Sequence, residues 1–380
     1  MPATRRLLVL TRYDRLGASS RVRFLQYLPA IEQGGFTCDV RPLLGNNYIR
    51  ALYEGGRGGP GTIAAGFIER LQTLMQRRRY DLIWLEKEAM PFVPYMIERR
   101  LLGGVPYVID FDDAWFLRYQ ELRLAPLRWL LGDKIDVLMR DSAAVVVGNA
   151  YLAEHARGAG ARRIDIIPST IDLDRYGATA SVRAVQVRAP IVIGWIGTPV
   201  TVRYLARLEP VFRRLAGDGI VVRIVGAQVP AAWTGLPAES VPWSEADEVA
   251  EIAKFDIGLM PIDDGEWERG KCGYKALQVM AMGRPVVASM VGANCSIFRH
   301  GHNGFLARTH DDWFSALQLL AGDPVLRGRI GAAARETVEA DYSLASQAPR
   351  LVGVLDQALS VAPIAGRTKK GDAANCGTNA

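Results

Sequence analysis

Short apolar segments alternate with longer segments of helical pattern along this sequence, and the alternation occurs twice. Uninterrupted runs of valine, isoleucine and leucine are typical of strands that a parallel sheet buries on both faces. We therefore predict two doubly wound α/β domains. The predicted strands cover residues 7–11, 38–43, 81–85, 107–110, 144–148 and 164–168 in the first domain, and 191–196, 221–225, 240–243, 256–260, 286–289 and 305–307 in the second.

The length of 380 residues also exceeds what one hydrophobic core usually organises. We expect an N-terminal domain over 1–185 and a C-terminal domain over 186–345, with the boundary in 174–189, where neither a clear strand nor an amphipathic helix is visible. A helix over 346–365 is expected to pack back toward the N-terminal domain. The polar tail 366–380 is expected to be disordered.

The N-terminus and the cysteines indicate a cytoplasmic protein without structural metal or disulfides. The apolar run 7–10 is too short for a signal peptide, and no stretch reaches the roughly 20 apolar residues that span a bilayer. The four cysteines show no CxxC spacing and no neighbouring histidine cluster. The glycine-rich stretch 55–66 predicts a flexible, lid-like surface loop.

The positive charge is unevenly distributed. Residues 1–185 contain 26 Lys and Arg against 20 Asp and Glu, whereas the remainder is balanced at 20 and 20. An anionic membrane surface or a lipid-linked phosphate would explain this excess, and a solvated arginine-rich surface explains it equally well. No nucleic-acid partner is expected.

The first candidate site is the turn after the first predicted strand. Gly17 permits close approach of the backbone, and Ser19 or Ser20 would cap the following helix. Arg21 adds positive charge to that helix start, which suits a phosphate or carboxylate. The alternative is a capped turn with surface arginines.

The second candidate is a group of three carboxylates where the fourth predicted strand ends. Alternation along an extended chain places Asp110 and Asp112 on one face and Asp113 on the other. A carboxylate there would accept a sugar hydroxyl or act as a general base. The alternative is helix capping, and a divalent metal site lacks further ligands nearby.

The third candidate combines two segments of the second domain. Gly197 and Thr198 form a turn from a strand into a helix that carries Arg203, an arrangement that suits an anion. Two of the seven lysines of the chain, Lys271 and Lys275, share one face of a helix start with Gln278. Ammonium groups at that position suit a diphosphate, and a solvated polar face is the alternative.

These motifs resemble the GT-B glycosyltransferases of family 4 over most of residues 5–345. The likeness rests on the segments KALQVMAMGRPVVAS, IGWIGTPVTVRYL, DIIPSTIDLDRY and DIGLMPID. The resemblance implies two Rossmann-like domains that face each other across a cleft. It also implies a nucleotide-diphosphate sugar as substrate, with no metal or other cofactor.

The resemblance assigns roles to individual positions. The basic residue of the family's diphosphate loop falls on Arg203, and its acceptor-side histidine falls on Asp112. Its paired glutamates fall on Gly270 and Gln278, so both carboxylates are missing, as in a subfamily with the pattern GKxxxKxxQ. Arg203 and Lys271 are expected to stabilise the departing phosphate, and Asp112 to position the acceptor.

The expected reaction is retaining transfer of a sugar to a glycan or lipid-linked acceptor, in cell-surface polysaccharide biosynthesis. The protein would then work in the cytoplasm, peripheral to the inner face of the cell membrane. Two alternatives stay open at this stage. One is a sugar-nucleotide epimerase of the same fold, and the other is a non-catalytic nucleotide-sugar-binding protein.

Overall fold

Two parallel sheets of six strands each organise the two domains. A computed structural model describes residues 5–53, 56, 59–177, 190–217 and 219–361. The strands that it contains are β1 (Arg5–Tyr13), β2 (Phe36–Leu44), β3 (Leu82–Glu86), β4 (Tyr107–Phe111), β5 (Ala144–Val147), β6 (Ile164–Ile166), β7 (Ile191–Ile196), β8 (Ile220–Val225), β9 (Ala238–Val241), β10 (Ile257–Met260), β11 (Val286–Ser289) and β12 (Phe305–Ala307).

Helices connect the strands and lie on both faces of each sheet. In the described residues they are α1 (Ala18–Arg23), α2 (Leu28–Gln33), α3 (Asn46–Tyr53), α4 (Pro60–Met75), α5 (Tyr95–Leu102), α6 (Leu117–Gln120), α7 (Ala125–Leu131), α8 (Lys134–Asp141), α9 (Ala150–Gly158), α10 (Leu173–Gly177), α11 (Val202–Ala206), α12 (Glu209–Arg214), α13 (Glu248–Ile252), α14 (Glu266–Arg269), α15 (Tyr274–Ala281), α16 (Asn294–Ile297), α17 (His310–Gly322), α18 (Pro324–Asp341) and α19 (Leu344–Leu359). None of the helices in these residues has the length and apolar character that crossing a bilayer requires.

The predicted pair of doubly wound sheets is confirmed. The strand order is β2-β1-β3-β4-β5-β6 in the first sheet and β12-β11-β10-β7-β8-β9 in the second. The central strands β3, β4 and β5 are buried along their whole length, because helices cover both faces. The order reverses between β1 and β3 and again between β7 and β10, and ligands of such folds bind at these switch points.

The last helix crosses from the second domain to the first. Its residues Leu351 and Leu355 are buried with Leu7 and Trp84 in the core under the first sheet. The backbone N–H of Ile171 donates to the carbonyl oxygen of Tyr342, and the N–H of Leu344 donates to the carbonyl oxygen of Ile171. The segment around Ile171 therefore runs beside the start of this helix. Residues 178–189 of the predicted boundary and the predicted tail 366–380 lie outside the described residues.

The prediction of a loop over 55–66 is wrong from residue 60 onward. Helix α4 begins at Pro60, a residue whose fixed backbone angle suits the first helical turn. Gly66 lies inside this helix, and a Cβ there would be 2.2 Å from the carbonyl oxygen of Leu43. The glycine therefore serves the close packing of α4 on β2.

Candidate active site

Two adjoining cavities open between the domains, at the carboxyl ends of the strands. The smaller has a volume of about 210 Å³ and is lined by Asp112 and Asp113 from the first domain and by Thr201 and Lys271 from the second. The larger has a volume of about 640 Å³ and lies mainly on the second domain. Lys275 lines both, so it marks the point where the cavities meet.

Lys275 is a half-buried cation at the start of helix α15. Gly273 precedes this helix in the left-handed conformation, with φ of 68°. The Lys275 ammonium donates to the hydroxyl of Thr201 at 3.1 Å and lies 5.2 Å from the centre of the Trp195 ring. Burial, and then the charge of Lys271, lower the pKa of Lys275 to about 7.

Lys271 faces the opposite domain. Its ammonium lies 3.9 Å from Oδ1 of Asp113, which is its nearest ionic contact. Within the part of the chain that the structure describes, Lys275 has no carboxylate within 4.0 Å of its ammonium. The two lysines, with one distant carboxylate between them, therefore form a site with excess positive charge.

The turn after β7 is held by the side chain of Thr201. Its hydroxyl accepts from the backbone N–H of Thr198 at 3.0 Å and from Lys275. Gly197 packs against Trp195, since a Cβ would lie 2.1 Å from that ring. Both Gly197 and Thr198 line the larger cavity, but the Thr198 N–H is already engaged within the turn.

Arg203 does not lie where the sequence prediction placed it. Its guanidinium is 64% exposed and lines neither cavity. It donates to the hydroxyl of Tyr204 at 2.9 Å and to Glu268 at 3.4 Å. Glu268 also accepts from Tyr204, and it lines neither cavity.

Asp110 is likewise not positioned to touch a substrate. Its two carboxylate oxygens accept from Nε and Nη2 of Arg23 at 2.9 and 3.0 Å, and both side chains are almost fully buried. Arg23 also donates to the carbonyl oxygen of Ile167. The pair therefore links α1 to the end of β4. Removing either partner would leave the other as a buried, uncompensated charge, so we interpret the pair as structural.

Asp112 and Asp113 both line the smaller cavity, at the gap between the two domains, and Lys87 forms an ion pair with each of them. The Lys87 ammonium is 2.7 Å from Asp112 and 3.8 Å from Asp113. Burial alone would raise the pKa of Asp112, but Lys87 and a hydrogen bond from Ser19 outweigh it and hold the pKa below its usual range. Burial, together with the charge of Asp112, raises the pKa of Asp113 to about 6.

Sequence reasoning missed Lys87. This residue follows β3 directly and has a left-handed backbone with φ of 64°, which is uncommon for a residue other than glycine. Such strain is concentrated at functional sites. A usable signal was present, because the charged run Glu86, Lys87 and Glu88 comes directly at the end of a buried strand.

Gly17 shapes the turn after β1 and lines neither cavity itself, whereas its neighbours Leu16 and Ala18 line the larger one. A Cβ at Gly17 would lie 2.4 Å from the Cβ of Tyr13, so glycine is needed for the turn. No side chain caps α1. The hydroxyl of Ser20 instead donates to Glu86 at 2.7 Å, while Ser19 lines the smaller cavity.

Arg21 reaches from the first domain to the larger cavity. Its buried guanidinium lies 5.6 Å from the ring of Trp243 and donates to the carbonyl oxygen of Arg15 at 3.2 Å. Arg15 in turn pairs with Glu245 at 3.0 Å. Both arginines therefore bridge the two domains beside this cavity.

Gln278 lies in the wall of the larger cavity. Its amide donates to the hydroxyl of Tyr176 at 2.9 Å, and that hydroxyl donates to Glu248 at 3.3 Å. Glu248 is a buried carboxylate that also accepts from the indole of Trp243 at 2.8 Å. Sequence reasoning missed Glu248, since no motif separates it from the other acidic residues around it.

Residues 269–272 of the second domain pack against the first domain, and we call them the interdomain loop. A Cβ at Gly270 would lie 2.6 Å from the backbone nitrogen of Ala114. The side-chain amide of Asn149 donates to the carbonyl oxygens of residues 269, 270 and 271 at 3.0 to 3.3 Å. The thiol of Cys272 donates to the carbonyl oxygen of Asp112 at 3.1 Å. Sequence reasoning missed Asn149 as well.

No group of three or more potential metal ligands occurs among the residues that the structure describes. The three cysteines in that part of the chain, Cys38, Cys272 and Cys295, are free. Two of the carboxylates that the sequence offered as metal ligands form ion pairs instead: Asp110 with Arg23, and Asp112 with Lys87.

Both domains match known glycosyltransferase families. Residues 3–170 match the family described as "Glycosyl transferase 4-like domain", and residues 191–323 match the family described as "Glycosyl transferases group 1". These two matches account for most of the chain. The chain is a glycosyltransferase in which a glycosyl transferase 4-like domain is followed by a group 1 domain. The resemblance predicted from the four sequence segments is thereby confirmed.

Proteins with similar sequences are also glycosyltransferases. The D-inositol 3-phosphate glycosyltransferase of Nocardia farcinica is 30% identical over 220 residues, which are 48% of this chain and 46% of that protein. The match therefore spans about half the length of that relative. The enzyme of the same name from Stackebrandtia nassauensis is 37% identical over 89 residues, 23% of this chain and 20% of that protein.

Solved structures share the fold over almost the whole chain. Sucrose-phosphate synthase from Thermosynechococcus elongatus superposes with a TM-score of 0.70 at 14% identity, and covers 93% of this chain and 98% of its own. The Anabaena protein HepE in complex with UDP-glucose superposes with a TM-score of 0.68 at 14% identity, and covers 92% and 99%. The predicted GT-B fold is confirmed.

Proposed function

We propose that this glycosyltransferase moves a sugar from a nucleoside diphosphate sugar to a hydroxyl group of a glycan or lipid-linked acceptor. The observation that carries the proposal is the pair formed by Lys271, in the interdomain loop, and Lys275, in the first turn of α15. Lys275 has no carboxylate partner in the described chain, and Lys271 has only Asp113, at 3.9 Å. Such a pair, between two domains, suits the diphosphate of a donor.

The larger cavity fits the nucleoside part of the donor. Its volume of about 640 Å³ is within the usual range for small-molecule sites. Trp243, Glu248 and Gln278 offer an aromatic face and polar groups for a base and a ribose. We propose uridine as the base, because the Anabaena protein of the same fold binds UDP-glucose. The transferred sugar then occupies the smaller cavity beyond Lys275.

The proposed reaction breaks the bond between the anomeric carbon and the oxygen of the β-phosphate. A bond forms from the acceptor oxygen to that carbon, the acceptor proton passes to the ionised carboxylate of Asp113 and from there to the departing phosphate, and a nucleoside diphosphate leaves. Lys271 and Lys275 stabilise the charge that grows on the phosphate, an effect worth roughly 3–4 kcal/mol per well-placed donor. These two ammonium groups supply the positive charge for which other transferases use a metal, so we propose transfer without a metal or other cofactor.

The acceptor lies on the side of the first domain. Asp113 is a better candidate than Asp112 to contact its hydroxyl, because its pKa of about 6 suits proton exchange near neutrality, whereas Lys87 holds Asp112 ionised. We propose retention of the anomeric configuration, as in similar family members. We also propose a role in cell-surface polysaccharide synthesis at the inner face of the membrane, since the excess positive charge lies in residues 1–185.

Incubation of the protein with a panel of UDP-sugars and GDP-sugars, with and without candidate acceptors, tests the proposal. The expected products are a nucleoside diphosphate and an elongated acceptor, whose linkage is read by NMR. Lys271→Ala should abolish transfer while the unfolding temperature stays unchanged; near-normal turnover in that variant would refute the role of Lys271. A nucleotide sugar changed only in configuration would identify an epimerase, and binding without any product would identify a non-catalytic protein.

A further inference from the structure

An exposed apolar segment follows the loop that carries Asp112 and Asp113. Every residue from 123 to 130 is exposed, and this stretch includes most of helix α7. Its large apolar side chains are Trp129, 85% exposed, Leu124, 64% exposed, and Leu127 and Leu130, each more than 40% exposed. A monomeric protein in water rarely leaves such a group uncovered.

The same segment carries only positive charge. Arg123 and Arg128 are exposed between the apolar side chains, and no Asp or Glu occurs from residue 122 to residue 131. Glu121, just before the segment, is the nearest acidic residue along the chain. Leu131 is buried in the core of the first domain, so the segment is anchored at its end while its outer surface stays free.

Phe92 is a further exposed apolar residue, and it lies beside α6, the helix that precedes α7. Phe92 is 51% exposed and has a left-handed backbone with φ of 61°, a strained conformation for a bulky residue. Its ring contacts Tyr119 of α6 at a centroid distance of 5.6 Å, and α6 contacts α7. Met96 and Ile97 on α5 are exposed shortly after it. We call Phe92 together with residues 123–130 the apolar-basic surface.

We infer that the apolar-basic surface docks this enzyme on a lipid bilayer that contains anionic lipids. Tryptophan and leucine side chains partition into the boundary between headgroups and acyl chains. Arginines beside them pair with anionic headgroups while their aliphatic stems lie along the apolar region. The positive charge of Arg123 and Arg128 would repel a cationic protein partner. An acidic protein partner would match this charge but would not by itself supply an apolar environment for the indole of Trp129, which is 85% exposed.

This inference deepens the proposed function and rests on its lipid-linked acceptor. The surface belongs to the domain that supplies Asp112 and Asp113 to the gap, and it follows these residues closely along the chain. A bilayer held there would keep an acceptor that is anchored in the membrane near the smaller cavity. Binding to lipid nevertheless needs neither donor nor transfer, so the two proposals fail separately.

The test is co-sedimentation of the full chain with vesicles of phosphatidylcholine alone and with vesicles that also contain phosphatidylglycerol. The wild type should bind the anionic vesicles and bind the neutral ones much more weakly. The double variant Trp129→Ser/Leu130→Ser and the single variant Arg123→Glu should each lower the partition coefficient roughly tenfold or more. Both should keep the wild-type rate of donor hydrolysis or of transfer to a water-soluble acceptor.

Matched controls lie on the second domain. Val325 is an 81% exposed apolar residue and Arg329 is an exposed arginine, so Val325→Ser and Arg329→Glu should bind vesicles like the wild type. Equal binding to neutral and anionic vesicles, or wild-type binding by Arg123→Glu, would overturn the inference. Light scattering of the protein without lipid adds a second readout. A dimer that Trp129→Ser/Leu130→Ser converts to a monomer would also overturn the inference, because this surface would then be a contact between copies.

Discussion

Gly270 and Ala114 touch across the boundary between the two domains. A Cβ at position 270 would lie 2.6 Å from the backbone nitrogen of Ala114 and 2.8 Å from its Cβ, closer than non-bonded carbon atoms approach. The carboxylate that the family resemblance places at this position therefore has no room. Its absence follows from the way the interdomain loop packs against the first domain.

Restoring the family's glutamate should consequently harm the enzyme. We expect Gly270→Glu, and to a lesser degree Gly270→Ala, to lower kcat/KM for transfer about 10- to 100-fold, because displacing Ala114 costs about 1–3 kcal/mol. The unfolding temperature of the second domain should change little, since the overlap is with the other domain. Gly328→Ala is the control, because a Cβ there meets nothing within 4 Å. Transfer at or above the wild-type rate by Gly270→Glu would contradict this expectation.

Asn149 provides an independent test of the same interdomain contact. Its Oδ1 accepts from the N–H of Leu152 and caps α9, while its amide nitrogen donates to the interdomain loop. Asn149→Asp keeps an oxygen for the cap and replaces the donor by a negative charge that faces carbonyl oxygens. We expect a loss of kcat/KM of at least about tenfold with little change in thermal stability, since each lost hydrogen bond is worth roughly 0.5–1.5 kcal/mol. Asp323→Asn, which exchanges the same groups at another helix cap, should transfer normally.

The sheets and the lysine pair could be predicted from sequence because both depend on local pattern. Buried parallel strands show as apolar runs, and the short spacing of Lys271 and Lys275 keeps both lysines at one cavity. The predicted shared helical face is wrong, because α15 begins at Tyr274 and Lys271 lies in the loop before it. The roles predicted for Asp110 and Arg203 are not supported by their observed contacts, which depend on partners far along the chain. Asp110 is neutralised by Arg23, 87 residues earlier, and Arg203 is drawn to Glu268, 65 residues later. Neither pairing leaves a local signal.

The interdomain contacts were equally out of reach. The glycine at position 270 reads as a lost carboxylate until its neighbour Ala114 is known. Asn149 follows a strand and reads as an ordinary helix cap, which it is, but its amide has a second role across the boundary. Such roles depend on how two domains pack, and packing between domains is not encoded in the periodicity of either one.

The two carboxylates at the gap should differ in their effect on rate. Asp113→Asn should lower kcat by at least about 100-fold if this carboxylate exchanges the acceptor proton. Asp112→Asn should leave the Lys87 ammonium without its nearest partner and act mainly through KM and stability. In the wild type, the rate should rise as pH increases through about 6, because Asp113 must lose its proton. A pH profile of kcat/KM without an acidic limb would count against Asp113, and a profile that Asp113→Asn leaves unchanged would do the same.

The pH dependence of donor binding should report on Lys275 directly. Its pKa of about 7 in the free enzyme is low because burial, and then Lys271, disfavour the charged form. The diphosphate binds the protonated form, so the dissociation constant of UDP-glucose should rise as pH increases above about 7, approaching tenfold per pH unit. UDP-glucose is the suitable probe, since its phosphates do not titrate in this range.

Lys275→Arg separates this cause from others, because a guanidinium stays protonated throughout. Calorimetric titration between about pH 6 and pH 9 should give a nearly constant dissociation constant for Lys275→Arg and a weaker, equally flat one for Lys275→Ala. Lys254→Ala removes an exposed lysine that pairs with Glu251 and lines neither cavity, and it should keep the wild-type dependence. Lys275→Arg could instead lose affinity for UDP-glucose above pH 7 as steeply as the wild type does. Another group would then be titrating, and the role of Lys275 in binding the diphosphate would be refuted.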